Sequence, residues 1–194
     1  MSWDLDWEEE KIHKTKKLKI DNIIKKQISR VNEIGIPKDG EQIRVITNQT
    51  INFWSLIERF LEKRVIIDEL YISVYRINKT TIDKLVDSIK RGSIKHAEVL
   101  VCSFFKNVNE SWYTYLIDEL QCLDNCIVGT FNIHTKISAF KSDDDHYVFE
   151  GSGNLSDNAK VEQYLFEQNK EMYEFHRDWI KELTNKDKTE INNA

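Results

Sequence analysis

The chain has 194 residues, 40% hydrophobic and 31% charged, with a formal net charge of −5 at pH 7. That is enough chain for one sizeable core, in the composition of an ordinary globular protein rather than a disordered or fibrous one. One proline and six glycines leave no room for a long Pro- or Gly-rich linker, and no run approaches the about 18 apolar residues of a membrane span.

The first ten residues carry acids where a signal peptide has its basic region, so a cytoplasmic location without a transmembrane segment is expected. The charge is uneven. Asp4, Asp6, Glu8, Glu9 and Glu10 are followed by a basic stretch, 11–38, in which Lys14, Lys16, Lys17, Lys25 and Lys26 stand out and only Asp21 and Glu33 are acidic. Ile12, Leu18, Ile20, Ile23, Ile24, Ile28 and Val31 recur at roughly helical spacing there, so residues 1–40 are expected to form an N-terminal helical extension ending near Gly35 and Pro37. Such a face is either a solvated cover or a surface whose lysines neutralise nucleic-acid phosphates.

From residue 42 the pattern changes to an α/β rhythm. Ile43–Ile46 reads as a strand, and Asn52 opens a helix from Phe53 to about Lys63. Glu69–Tyr75 is a strand, Thr80 or Thr81 starts a helix closing at Gly92, and Ala97–Phe105 is the next strand. A helix through Trp112 and Leu120 then leads to Cys126–Phe131. Strand alternating with helix predicts a sheet flanked by helices. Ile133–Phe140 and His146–Glu150 read as a hairpin tipped by Lys141–Asp145, followed by a long helix from about Asn158 to Leu183. The expected limits are an α/β domain over 41–184 and a polar tail over 185–194. Three cysteines in no metal-ligand spacing read as small apolar residues, and no metal or other cofactor is expected.

The chemistry lies late in the chain. His134 and Lys136, two apart on a strand, share a face, and the hairpin returns Gly151, Ser152, Gly153 and Asn154 beside them. Small residues ahead of a helix start offer N–H groups and a dipole to an anion. A histidine, a lysine, a hydroxyl and an amide around such a turn make a phosphate pocket containing a nucleophile.

His-x-Lys, a strand-sized gap and Gly-Ser-x-Asn, preceded by ELYISVY and AEVLVCSFF, resemble the signature of the phospholipase D superfamily over about residues 42–165. The resemblance implies metal-independent phosphodiester cleavage through a phosphohistidine on His134, with Lys136 and Asn154 holding phosphate oxygens, Ser152 orienting them, and Glu162, expected on the last helix, accepting the second ring N–H of His134. It also implies a homodimer, because a single motif supplies half a site. Small single-motif members are mostly nucleases, so DNA or RNA is the expected partner. The alternatives are a phospholipid substrate or an inactive binding module. The aspartate that usually follows the lysine by five residues is replaced by Lys141.

Overall fold

The computed structural model describes residues 22–27, 34–47, 54–63, 65–155 and 161–192, with the side chains of 22–27, 47 and 187–192 excepted. Among the described residues eight strands form one mixed sheet: β1 (Asn22–Gln27), β2 (Glu41–Thr47), β3 (Glu69–Val74), β4 (Ala97–Cys102), β5 (Cys126–Phe131), β6 (Lys136–Ser142), β7 (Asp145–Gly151) and β8 (Glu162–Gln168). The helices are α1 (Trp54–Glu62), α2 (Lys79–Lys90), α3 (Phe104–Val108), α4 (Glu110–Gln121) and α5 (Lys170–Asn192). The spatial order is β1-β2-β8-β7-β6-β3-β4-β5, with β3, β4 and β5 parallel to one another and β6, β7 and β8 antiparallel.

Alternation along each strand builds two cores. Leu70, Ile72 and Val74 of β3, Phe140 of β6, and Phe149 of β7 join Leu56, Phe60, Leu85 and Leu116 of the helices on one face. Tyr71, Leu100, Ala139 and Val148, one residue out of phase, pack under Tyr173, Ile180 and Leu183 of α5 on the other. The central strands β3, β4 and β6 are thus buried on both sides, whereas β2 alternates between buried Ile43 and Val45 and exposed Arg44 and Ile46. Asn78 caps α2 through its side-chain oxygen, which accepts from Thr81 N–H at 2.9 Å, so the helix starts one or two residues before the threonines expected to open it.

Several expectations are corrected. Asn22–Gln27 is not helical but a strand, paired in parallel with β2. Its β-branched Ile23 and Ile24 fit a sheet as readily as a helix face. Residues 34–40 of the expected extension are described and are not helical; the remainder, with Lys14, Lys16 and Lys17, lies outside the described residues, as does Asn52, while Lys25 and Lys26 are placed as strand backbone. The expected last helix from Asn158 is preceded by a whole strand: Glu162–Gln168 inserts antiparallel between β2 and β7, and α5 begins only at Lys170. Tyr164 and Phe166 alternate into the core at period two, which outweighs the helical reading. Beyond Leu183 the chain stays helical to Asn192 through most of the expected tail. The strand from Ala97 stops at Cys102, and Phe104 and Phe105 belong to α3.

Candidate active site at the carboxyl end of the parallel strands

Sheet register determines what meets what. Lys136, the first residue of β6, pairs with Val74 at the end of β3, and Val74 pairs with Val101 near the end of β4. Gly151, the last residue of β7, pairs with Tyr164 near the start of β8. The open carboxyl end of a parallel sheet is where α/β folds place ligands, and here His134, Lys136, Gly151, Ser152, Gly153, Asn154 and Glu162 lie at that end.

His134 is exposed and lies in the link between β5 and β6, not on a strand as expected. Thr135 anchors that link, its hydroxyl 2.5 Å from Ser73 Oγ on β3. Lys136 is buried, and its ammonium donates to the His134 carbonyl at 2.9 Å while lying 3.4 Å from His134 Nδ1. Burial pushes this ammonium below the ordinary lysine value, while the nearby Glu162 carboxylate and Cys102 thiol work the other way. Tyr75, directly after β3, sets its ring edge-on to His134, centroids 5.3 Å apart, and 5.9 Å from Lys136 Nζ.

The Gly151–Asn154 turn is moulded on β8. Ser152 N–H donates to the Gln163 carbonyl at 3.0 Å, and Gln163 N–H donates to Ser152 Oγ at 3.1 Å. The Ser152 hydroxyl in turn donates to the Glu162 carboxylate, a buried group on the first residue of β8. A Cβ at Gly151 would stand 2.6 Å from the Gln163 carbonyl and collide with the Tyr164 ring; one at Gly153 would collide with the same tyrosine. Leu155 then bridges to Ile77, and Asn78 N–H donates to the Leu155 carbonyl at 2.9 Å. The turn is thereby fixed to the segment that follows β3, as Lys136 is fixed to β3 itself. Asn154 is half-buried, and its side-chain oxygen, shielded from solvent, has no hydrogen-bond partner among the described residues. A buried amide oxygen without a donor is a group with capacity for water or for another hydrogen-bond donor.

His134, Lys136, Gly151, Ser152, Gly153, Asn154 and Glu162 are therefore gathered at one end of one sheet. Two of their expected supports differ. Glu162 is on a strand and accepts from Ser152, and the next element among the described residues after the turn is β8 rather than the expected helix. Among the described residues no cluster of His, Cys, Asp or Glu has the arrangement of a metal site. Sequence reading missed Tyr75 and Thr135; the position of Tyr75 just past a parallel strand's carboxyl end was the available signal.

Lys141, at the position usually held by aspartate, lies at the far end of β6, about 17 Å from Lys136 at the rise of a strand. It pairs with Glu69 on the face covered by α5, whereas Lys136 pairs with Val74 of the opposite core. The acids after it are absorbed by the local turn. Asp143 adopts φ 52° and its N–H donates to Asp68 at 2.9 Å, while Asp145 accepts from Gln168 at 2.7 Å.

No protein-family model and no curated protein sequence matches this chain. Its similarity is to solved structures. A phosphatidylserine synthase from Haemophilus influenzae aligns with 73% of this chain and 39% of its own at 13% identity and a TM-score of 0.51. TrmBL2, an archaeal chromatin protein described with a novel mode of DNA binding, aligns with 74% of this chain and 52% of its own at 12% identity, TM-score 0.49. A polyphosphate kinase from Porphyromonas gingivalis aligns with 66% and 20% at 15% identity, TM-score 0.46. The chain spans about half or less of each of these proteins. Among the described residues no helix is long and apolar enough to cross a membrane. The likeness to the synthase shows the fold alone: a mixed α/β sheet flanked by helices with a long C-terminal helix, consistent with a phospholipase D-like fold.

Proposed function

We propose that the chain is one half of a homodimeric, metal-independent phosphodiesterase that cleaves DNA or RNA. The observation that carries this reading is the meeting of His134, Lys136 and the Ser152–Asn154 turn at the carboxyl end of β3. In the reaction, Nε2 of His134 forms a bond to phosphorus as the bond to the leaving oxygen breaks, and the partner subunit's His134 gives that oxygen its proton. The partner subunit's His134 then takes a proton from water, and the resulting hydroxide displaces phosphorus from Nε2. Lys136 and the Asn154 amide hold the non-bridging oxygens, where negative charge builds. Glu162 acts through Ser152, keeping the turn on β8. One histidine cannot stand on both sides of phosphorus, which is why the site needs a second chain across a two-fold axis. Nucleic acid is the substrate of choice because small single-motif members of the family this sequence resembles are mostly nucleases, and because of the basic stretch 11–38.

The test is incubation of the protein and its His134→Ala variant with plasmid and single-stranded DNA in EDTA, with light scattering on the same samples. Cleavage by the wild type alone, from a particle about twice the 23.0 kDa chain mass, is the expected result. Cleavage that survives His134→Ala, or that requires magnesium, overturns the mechanism. A strict monomer overturns the two-chain site.

A further inference from the structure

We propose that Tyr75 is a positioning residue whose ring holds the His134 imidazole and the Lys136 ammonium in one arrangement; the inference rests on the phosphodiesterase reading of this site. Tyr75 touches both groups at once. Its ring meets His134 at 5.3 Å between centroids with an interplanar angle of 64°, and it lies 5.9 Å from Lys136 Nζ. The first is the edge-on geometry aromatic rings prefer, and the second is within cation–π range.

The need for such a device follows from where His134 stands. The residue is exposed on a link between strands, so no strand neighbour fixes its side chain, and an exposed imidazole turns freely about its side-chain bonds. The backbone beneath is held by the Thr135–Ser73 contact and by the Lys136 bond to the His134 carbonyl at 2.9 Å, while the ammonium meets the ring itself only at the longer 3.4 Å, at Nδ1. Tyr75 supplies the lateral wall for the ring. It can do so because it follows directly on Val74, the register partner of Lys136. Its own backbone is thus tied to the same pair of strands that carries the lysine. Loss of the ring leaves the fold in place and lets imidazole and ammonium move apart.

The experiment compares Tyr75→Phe, which keeps the ring, with Tyr75→Leu, which removes it, and uses Tyr75→Met as a second ring-free variant if Tyr75→Leu melts early. Two readouts are taken: cleavage kinetics on single-stranded DNA, and the NMR resonances of the His134 ring protons in the free protein. The ring-free variant should lose on the order of tenfold to a hundredfold in kcat/KM, mainly in kcat, as expected when a catalytic group is misplaced by about an ångström. Its His134 ring resonances should move as the tyrosine ring current disappears, while Tyr75→Phe retains both. Unchanged His134 resonances in the ring-free variant overturn the proposal, as does an equal loss in Tyr75→Phe. An inactive wild-type protein counts against the phosphodiesterase reading alone, and the resonances then decide whether Tyr75 holds the histidine.

Discussion

The Lys136 ammonium donates to the main-chain carbonyl of His134 at 2.9 Å and faces Nδ1 of the same residue at 3.4 Å. An ammonium has only donors, so this contact favours a lone pair on Nδ1 and the proton on Nε2. Attack on phosphorus through Nε2 needs the opposite tautomer. The free protein is therefore expected to hold His134 as the Nε2–H form, and a bound phosphate-like anion to release it by drawing Lys136 onto its own oxygens. Nitrogen-15 shifts of the imidazole, recorded with and without vanadate, check this. An Nδ1–H tautomer in the free protein would refute it.

Lys136 also makes a pH prediction. Burial lowers its proton affinity from the ordinary 10.5, against the pull of Glu162 and Cys102. The ammonium that binds an anion is lost as pH rises through this lowered value, so affinity for inorganic phosphate should begin to fall below 10.5. Stability runs the other way. Between the folded value and 10.5 the unfolded chain holds the extra proton, so stability from this group rises with pH across that window. At neutral pH the protein bears the full cost of burying the charge. Lys136→Met is expected to abolish phosphate binding by calorimetry while leaving the melting temperature unchanged or higher.

The turn glycines test how tightly the pocket is moulded. Gly151→Ala puts a methyl against the Tyr164 ring and the Gln163 carbonyl and should cost about 1–3 kcal/mol in denaturant melts. At Gly153 the nearest obstacle is the Tyr164 hydroxyl. Gly153→Ala should thus be less costly in a Tyr164→Phe background than in the wild type. Additive effects in that double-mutant cycle would show that the contact is not the constraint.

On the opposite face, Glu69 ties α5 to the sheet by accepting hydroxyl bonds from Tyr71 at 2.7 Å and Tyr173 at 3.0 Å. Burial alone would raise its pKa, but the two tyrosines, with Lys141 and Lys181, bring it below the ordinary 4.5. A depressed carboxylate stabilises the fold above its unfolded pKa, and that stability is lost as pH falls through the folded value. Melting temperature should therefore drop as pH is taken below about 4.5, the ordinary value for this group. Glu69→Gln should flatten the drop, and an unaltered pH profile would remove Glu69 from the account.

The sheet was legible in the sequence wherever apolar runs were bounded by turns: β2, β3, β5 and β7 fall within a residue or two of their expected limits. The proximity of His134, Lys136 and the Gly151–Asn154 turn was legible too, because these residues flank one hairpin. What sequence could not supply was partnership across distance. Tyr164 and Phe166 look helical beside the long amphipathic stretch of α5 until β2, more than a hundred residues earlier, is seen to pair with them. Asn22–Gln27 shows the same ambiguity, since short apolar pairs among lysines satisfy both periods. Tyr75 carries no motif at all, and only the pairing of β3 with β6 brings it to His134.

The position of β8 has a consequence for when the candidate site takes shape. Glu162, Gln163 and Tyr164 shape the turn that carries Ser152 and Asn154, and they sit between β2 near the start of the described chain and β7 near its end. A growing polypeptide that has emerged only as far as Leu155 already contains His134, Lys136, Ser152 and Asn154, yet has no template for the turn. The pocket is thus a property of the finished sheet. A chain cut short or still on the ribosome therefore carries these side chains without the surface that arranges them.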